Sequence, residues 1–401
     1  MKLLFIHEVN WHRKPVFEIH DYPELLSLRG HKVCFIDFPE GESVSKLPKL
    51  HDFRTTFRIN QSRAYLGSSI EVRTPGRICG APIDRLVHSV TFIPLLIKTL
   101  WREKWDAIIL YGVPTNGWQT IVLAKLFKIP VLFRAIDVSH DLRKTVFRSL
   151  IRVAEKFIYK SVQHISTNNV GLREHCIELG ADESQVTVEY PGLDLRRFQA
   201  SQRDLKLKSH LGIGANDHVI LFMGTLYRFA GLSKFLVLVS PLIKAKSNVK
   251  FLILGDGEAA SEIRETLRNL QLEQHVIMPG FVDYDELPKY LNLADVAVNT
   301  FESGLVTDCA LPWKVVQYLA CGIPTISTPL RGLMAYTGRT DGIIYRPLDV
   351  TFIDAVRELL VDNERRHLMS RVARELVVQR SSWDKCIADF ELLLTDLAAA
   401  S

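Results

Sequence analysis

A lysine two residues after a proline, with a glutamine and a tyrosine one turn later and a Gly-Ile-Pro close, is the part of this chain best equipped for chemistry. The segment is PWKVVQYLACGIP, residues 312–324. Val315, Val316, Leu319 and Ala320 share one face at helical spacing. Gly322 stops the helix and Pro324 follows, the usual order at a helix end. The helix therefore begins just after Pro312. Its N-terminus offers free backbone N–H groups and a partial positive charge, which suit phosphate. Lys314 adds a full charge at the same end. Apolar strands, ADVAVNT before and TISTP after, place this helix between two buried strands.

Other residues with usable chemistry lie just after apolar runs. Gly224 in LFMGTLYRFAGL follows a strand directly, so backbone there can approach a diphosphate closely. Thr225 is next to it, and Arg228 can neutralise the charge with bidentate contacts. The alternative is a turn glycine and a surface arginine. LGDGE, residues 254–258, is a strand–GxG–helix pattern. It lacks the GxGxxG spacing and the later acidic residue of a dehydrogenase, which argues against nicotinamide. It reads as fold support, with ligand contact left open. VIMPGFVDYDEL puts Phe281 and Val282 after another strand, as pocket lining or as core. TFESGLVTDCALPWK carries Glu302 and Asp308. Asp137 ends the strand PVLFRAID, with His140 nearby, and a carboxylate there can orient a hydroxyl or stabilise developing positive charge. HEVNWHRKP carries His12, Arg13 and Lys14, suited to an anionic acceptor or simply solvated.

These loops need two doubly wound parallel sheets to bring them to the carboxyl ends of strands, where such sheets bind ligands. In the first half, strands are expected at KLLFIHEV, KVCFIDF, SIEVRTP, DAIILYG, PVLFRAID and HISTNN. Helices are expected at residues 17–29, 83–104, 147–160 and in VGLREHCIELG. A polar linker is expected over residues 199–208. A second series then begins at Asp217, with strands HVILFMGTL, VKFLILGDG, HVIMPGFV, ADVAVNT and TISTP, and helices FLVLVSPLIKAK and SEIRETLRNL. The tail from Thr351 is helical.

With 401 residues and 47% hydrophobic content, the chain is long enough for two ordinary domains. It has no uncharged apolar run long enough to span a bilayer, and MKLLFIHEVN reads as a first strand rather than a signal peptide. The six cysteines are scattered, with no CxxC, and read as buried thiols in a reducing, cytoplasmic setting. Residues 1–200 hold 28 basic and 21 acidic side chains, while the remainder is slightly acidic. Residues 42–104 are the most basic part and contain VTFIPLLIKTLW. That segment suits either an anionic membrane face or a solvated loop followed by a core helix. No HxH, HExxH or DxD metal pattern occurs, no GxSxG occurs, and no nucleic-acid module is recognisable.

Lys314, Tyr318, Ala320, Gly322 and Pro324 match PxKxxE-Y-x-A-x-G-x-P, and the segment resembles the donor site of sugar-nucleotide glycosyltransferases with the GT-B fold, especially the family-four-like retaining enzymes. The family's glutamate, which holds the donor ribose, is Gln317 here. Its E-x7-E pattern is broken at Cys309, and Thr225 and Ala230 stand where its cations are most frequent. PGLDLRRF, residues 191–198, resembles the close of the first GT-B domain, and RGHKV, residues 29–33, its early strand. The resemblance implies two Rossmann-like domains facing across a cleft. Residues 1–200 would bind the acceptor and residues 210–375 a UDP- or GDP-sugar, with residues 376–401 packing back on the first domain. It implies donor contacts from Gly224, Thr225, Arg228, Phe281, Val282, Lys314 and Gln317. It implies catalytic roles for Asp137 and Glu302; the family's N-terminal Gly-Gly loop is absent, and His12 and Arg13 in its place are acceptor-contact candidates by their own charge. The implied activity is metal-independent, retaining hexosyl transfer to a hydroxyl of a glycan or lipid-linked acceptor, without a cofactor. An epimerase of the same fold and a non-catalytic nucleotide-sugar-binding subunit are the alternatives.

Overall fold

A computed structural model describes residues 1–14, 16–39, 54–76, 84–139, 147–246 and 248–400. The chain divides into two compact units, one of Met1–Pro191 with Asp384–Ser401, the other Gly192–Trp383.

In the first unit the strands are β1 (Lys2–Ile6), β2 (Lys32–Ile36), β3 (Thr56–Gln61), β4 (Ile70–Thr74), β5 (Ala107–Leu110), β6 (Val131–Ala135), β7 (His164–Thr167) and β8 (Val186–Val188). They form one sheet in the order β3-β4-β2-β1-β5-β6-β7-β8. All neighbours are parallel except the β3–β4 pair. The inner strands are buried along their length, as a sheet covered on both faces requires. β3 escaped the sequence reading because TFRINQ is an exposed edge strand with no apolar alternation. The chain moves outward from β1 to β4 and returns at β5 beside β1, which makes the β1/β5 junction a topological switch point. The last helix, Trp383–Ala399, gives its residues from Asp384 onward to this unit. Phe390 packs on Tyr22 with ring centroids 4.4 Å apart, and Glu391 bonds Arg29 and His31, each at 2.6 Å.

The second unit holds β9 (His218–Met223), β10 (Val249–Leu254), β11 (Val276–Gly280), β12 (Val296–Asn299), β13 (Thr325–Ser327) and β14 (Ile343–Tyr345), ordered β11-β10-β9-β12-β13-β14 and wholly parallel. Ile220, Phe222, Phe235, Phe251 and Val296 are among the buried side chains of its core. Its switch point lies between β9 and β12.

The segment expected as a polar linker is instead bonded into the second unit. The helix Leu205–His210 starts within it, capped by Asp204. Lys208 is buried with Nζ on the carbonyls of Ala215 and Asp217, Asn292 accepts from the Ser201 amide, and Arg203 pairs with Asp295 at 2.8 Å. Polar composition concealed it because Asn292 and Asp295, which hold its first half, lie about 90 residues away in the chain. Residues 192–200 also fall in the second unit, where Arg374 donates to the carbonyls of Leu195 and Phe198. Cys34, Cys176, Cys309, Cys321 and Cys386 are buried, while Cys79 lies outside the described residues. Among the described residues, no helix is long and apolar enough to cross a membrane.

Candidate functional site

The second unit gathers its chemistry at the carboxyl end of β9. Gly224 follows β9 with φ 134°, a left-handed conformation that favours glycine. Its amide donates to the Leu254 carbonyl at 2.9 Å, the Leu226 amide to Asp256, and the Gly255 amide to Gly280. The loops after β9, β10 and β11 thus form one hydrogen-bonded rim. A Cβ on Gly255 would lie 2.1 Å from the Gly224 carbonyl oxygen, and one on Gly257 would lie 2.7 Å from the Leu226 amide nitrogen. Close backbone packing therefore accounts for both glycines of the GDG loop.

Across the switch point, Thr300 after β12 donates from Oγ1 to the Ala230 carbonyl, and the Glu302 amide donates to Phe229. Gly231, at φ 67°, opens the helix Leu232–Ala245, and a Cβ there would meet the Thr300 carbonyl oxygen at 2.3 Å. Glu302 itself is exposed, and its carbonyl accepts from Thr307. Arg228 lies exposed in a single turn of tight helix, Arg228–Ala230.

The helix Trp313–Ala320 has Pro312 as its N-cap, without a side-chain cap; the Val315 amide donates to the Pro312 carbonyl at 2.8 Å, which leaves the amides of Trp313 and Lys314 as the ones facing outward from the helix start. Tyr318 fixes its depth, since the Met223 amide donates to the Tyr318 hydroxyl at 2.6 Å. Lys314 is buried, with Nζ 3.7 Å from the Phe222 ring centre and 3.9 Å from that of Phe301. Among the described residues its ammonium has no hydrogen-bond partner. Burial holds its pKa well below the ordinary lysine value. The two rings give cation–π attraction, but an unpaired buried ammonium remains costly. Gln317 is buried one turn further on, while Phe281 is exposed and Val282 half-buried beyond β11, two strands from β9.

The structure therefore brings Gly224, Lys314 and the rim loops together at one switch point. Sequence reasoning missed the supporting contacts of Thr300 and Arg374. The guanidinium of Arg374 donates to the carbonyls of Leu195, Phe198 and Ala320, at 2.9, 2.5 and 2.8 Å, anchoring the end of the Lys314 helix. Neither residue carries a local signal.

The first unit has a pocket at its own switch point, between His7 and Glu8 after β1 and Tyr111–Pro114 after β5, with Asp137 and Ser139 on one side. The Ser139 hydroxyl lies 3.4 Å from Asp137 Oδ1. Glu8 accepts from the Thr115 amide at 2.6 Å and has Arg85 3.6 Å away. A Cβ on Gly112 would meet the side chains of Asn116 and Glu8, Oδ1 at 2.1 Å and Cγ at 2.6 Å, so both would have to shift. The sequence reading chose His12 and Arg13 from this loop and passed over His7 and Glu8, the residues that line the pocket. The signal was their place directly after the first strand. His12 is half-buried, and burial first, then the nearby Arg58 and Arg63, lower its pKa. Arg13 is exposed, and His140 lies outside the described residues. Among the described residues, no group of three His, Cys, Asp or Glu side chains is placed to hold a metal ion.

Residues 217–362 match the family of "Glycosyl transferases group 1", and residues 26–192 match the "Glycosyl transferase 4-like domain". Together the matches cover well over half of the chain. An uncharacterised glycosyltransferase of Methanocaldococcus jannaschii is 26% identical over 56% of this chain and 58% of its own length. The D-inositol 3-phosphate glycosyltransferase of Kineococcus radiotolerans is 25% identical over 72% of this chain and 66% of its own. This chain thus spans less than two thirds of the length of these curated relatives. Among solved structures, sucrose-phosphate synthase of Thermosynechococcus elongatus superposes with a TM-score of 0.78 at 16% identity over all of both chains. HepE of Anabaena, in complex with UDP and glucose, superposes at 0.74 and 16% identity over 98% of this chain and 99% of its own.

Proposed function

The chain belongs to the group 1 glycosyl transferases, with two parallel-sheet α/β domains of the GT-B fold, and from that premise we propose that it moves a hexose from a UDP- or GDP-sugar to a hydroxyl. The observation that carries the donor half is Lys314, buried with no hydrogen-bond partner for its Nζ among the described residues, set beside Gly224 at a helix N-terminus without a side-chain cap. A diphosphate there would supply the missing counter-charge and accept from the open amides. Exposed Arg228 would close over it, Thr225 would add a hydroxyl, and Gln317 would hydrogen-bond the ribose as a neutral group. Phe281 and Val282 would flank the base.

In the reaction the bond from the anomeric carbon to the diphosphate oxygen breaks, and a bond to the acceptor oxygen forms with retention. The acceptor proton leaves with the departing diphosphate. Lys314, Arg228 and the helix end would carry the charge of the leaving group, so the transfer proceeds without a metal. Glu302 would hold the transferred sugar. Asp137 would orient the acceptor hydroxyl, with His12 and Arg13 as outer contacts. The acceptor is a glycan or a lipid-linked alcohol. The pocket of His7, Glu8 and Asp137 supports hydroxyl binding, since its carboxylates accept from hydroxyls.

Turnover tests this reading. The protein is incubated with UDP- and GDP-hexoses, with and without alcohol acceptors, in the presence of EDTA. Acceptor-dependent release of nucleoside diphosphate supports transfer. A changed sugar without acceptor would indicate an epimerase, and binding without turnover a non-catalytic subunit.

A further inference from the structure

We propose that the helices Asp84–Arg102, Gly117–Phe127 and Arg148–Tyr159 of the first unit form a docking face for an anionic lipid membrane. The three helices lie side by side. Gln119 of the middle helix donates to the Ser89 carbonyl at 2.7 Å, and a Cβ on Gly117 would come within 2.6 Å of Ile158. Each helix turns one apolar stripe inward and leaves another in solvent. On the first, Phe92, Leu96 and Leu100 are buried, while Val90, Ile97 and Trp101 are exposed, Trp101 by 80%. On the second, Trp118, Val122 and Leu126 recur at four-residue spacing, with Leu126 75% exposed. On the third, Leu150, Val153 and Phe157 are exposed at three- and four-residue spacing, while Ile151 and Ile158 are buried. An exposed apolar surface spread over three neighbouring helices is more than scattered surface residues and marks an interaction face.

The charges select the occupant. Lys98, Arg102, Lys125, Lys128, Arg152 and Lys156 on or directly beside these helices are all exposed. The one described carboxylate of these helices is withdrawn. Glu155 is buried, and the neighbouring Glu103 is held by Lys32 and Arg73. Apolar side chains interleaved with exposed cations complement anionic headgroups over a hydrocarbon layer, with the lysine and arginine stems adding to the apolar area. A second copy of the chain placed on this face by two-fold symmetry would set like charges together. The face also adjoins the pocket that contains Asp137, which is lined by Pro114 just before the second helix and by Ile151 of the third. A bilayer on the face would therefore lie beside that pocket. The proposal goes beyond the donor-site reading and does not depend on it.

The test is flotation of the full chain with phosphatidylcholine vesicles and with vesicles containing about one third phosphatidylglycerol. The expected result is flotation with the anionic vesicles that weakens as salt rises. Leu126→Glu with Phe157→Glu should lower the bound fraction about tenfold, and so should the milder Val122→Ser with Leu150→Ser. Circular dichroism and melting of these variants should match the parent. No flotation on anionic vesicles, or flotation that both variant pairs leave unchanged, would overturn the proposal. So would a dimeric mass by light scattering that the variants reduce to a monomer, which would make the face an interface between copies.

Discussion

Lys314 lies against the open side of Gly224. A Cβ built on Gly224 would stand 3.5 Å from Lys314 Cδ and 3.8 Å from Nζ. Space alone would admit an alanine, but φ of 134° would strain it. Gly224→Val is expected to weaken nucleotide binding at least tenfold while costing about 1–3 kcal/mol of stability, read by calorimetry and denaturant melts. Undiminished binding in a folded variant would contradict close approach of a ligand at this glycine.

The buried ammonium should make its presence felt without a ligand. Replacing a buried unpaired charge by an apolar isostere is commonly neutral to stabilising, by about 1–3 kcal/mol. Lys314→Met is therefore expected to melt at or above the parent temperature while losing nucleotide affinity roughly a hundredfold.

The same lysine predicts a pH dependence. Its folded pKa is depressed by burial, below the unfolded value of 10.5. Between the two values the unfolded chain binds the extra proton, so stability from this group rises with pH across that window. Denaturant melts over this range should show the parent gaining on Lys314→Met as pH increases. A diphosphate would return the proton, so binding at alkaline pH should take protons up, visible as a buffer-dependent enthalpy.

Tyr318→Phe leaves the Met223 amide without its 2.6 Å acceptor. The expected cost is about 1–2 kcal/mol, with nucleotide affinity falling because β9 and the Lys314 helix lose their tie. A variant with unchanged stability and affinity would show that packing alone sets this register.

Arg374→Ala strips one guanidinium from three carbonyls, those of Leu195, Phe198 and Ala320. The expected loss is about 2–3 kcal/mol, a fall in Tm of roughly 5–10 °C. Arg374→Lys should restore only part of it, because a single ammonium cannot span the fork.

Local signals carried much of this into the sequence. Helix start and stop residues around Lys314, and a glycine straight after β9, are readable within a dozen positions, and their meeting at one sheet edge follows from parallel winding. What stayed hidden was non-local. Thr300 meets Ala230 across 70 residues, and Arg374 reaches Ala320 across 54 and Leu195 across 179. Gly255 and Gly257 stood open between ligand contact and fold support, and only the approach of the Gly224 and Leu226 backbone explains them. Periodicity also failed where it is weak, at the exposed edge strand Thr56–Gln61 and in the helix Gly117–Phe127, apolar on more than one side.

The most direct test of the central claim is a thermal-shift titration of UDP, GDP and ADP into the parent chain and Lys314→Met. At a hundred times Kd, binding contributes about 2.7 kcal/mol, enough to raise Tm by roughly 5 °C or more. The account predicts such a rise with UDP or GDP in the parent and only about 1 °C in Lys314→Met, whose site is a hundredfold weaker. An equal rise in both proteins, or no rise with any nucleotide at millimolar levels, would contradict a diphosphate site at Lys314.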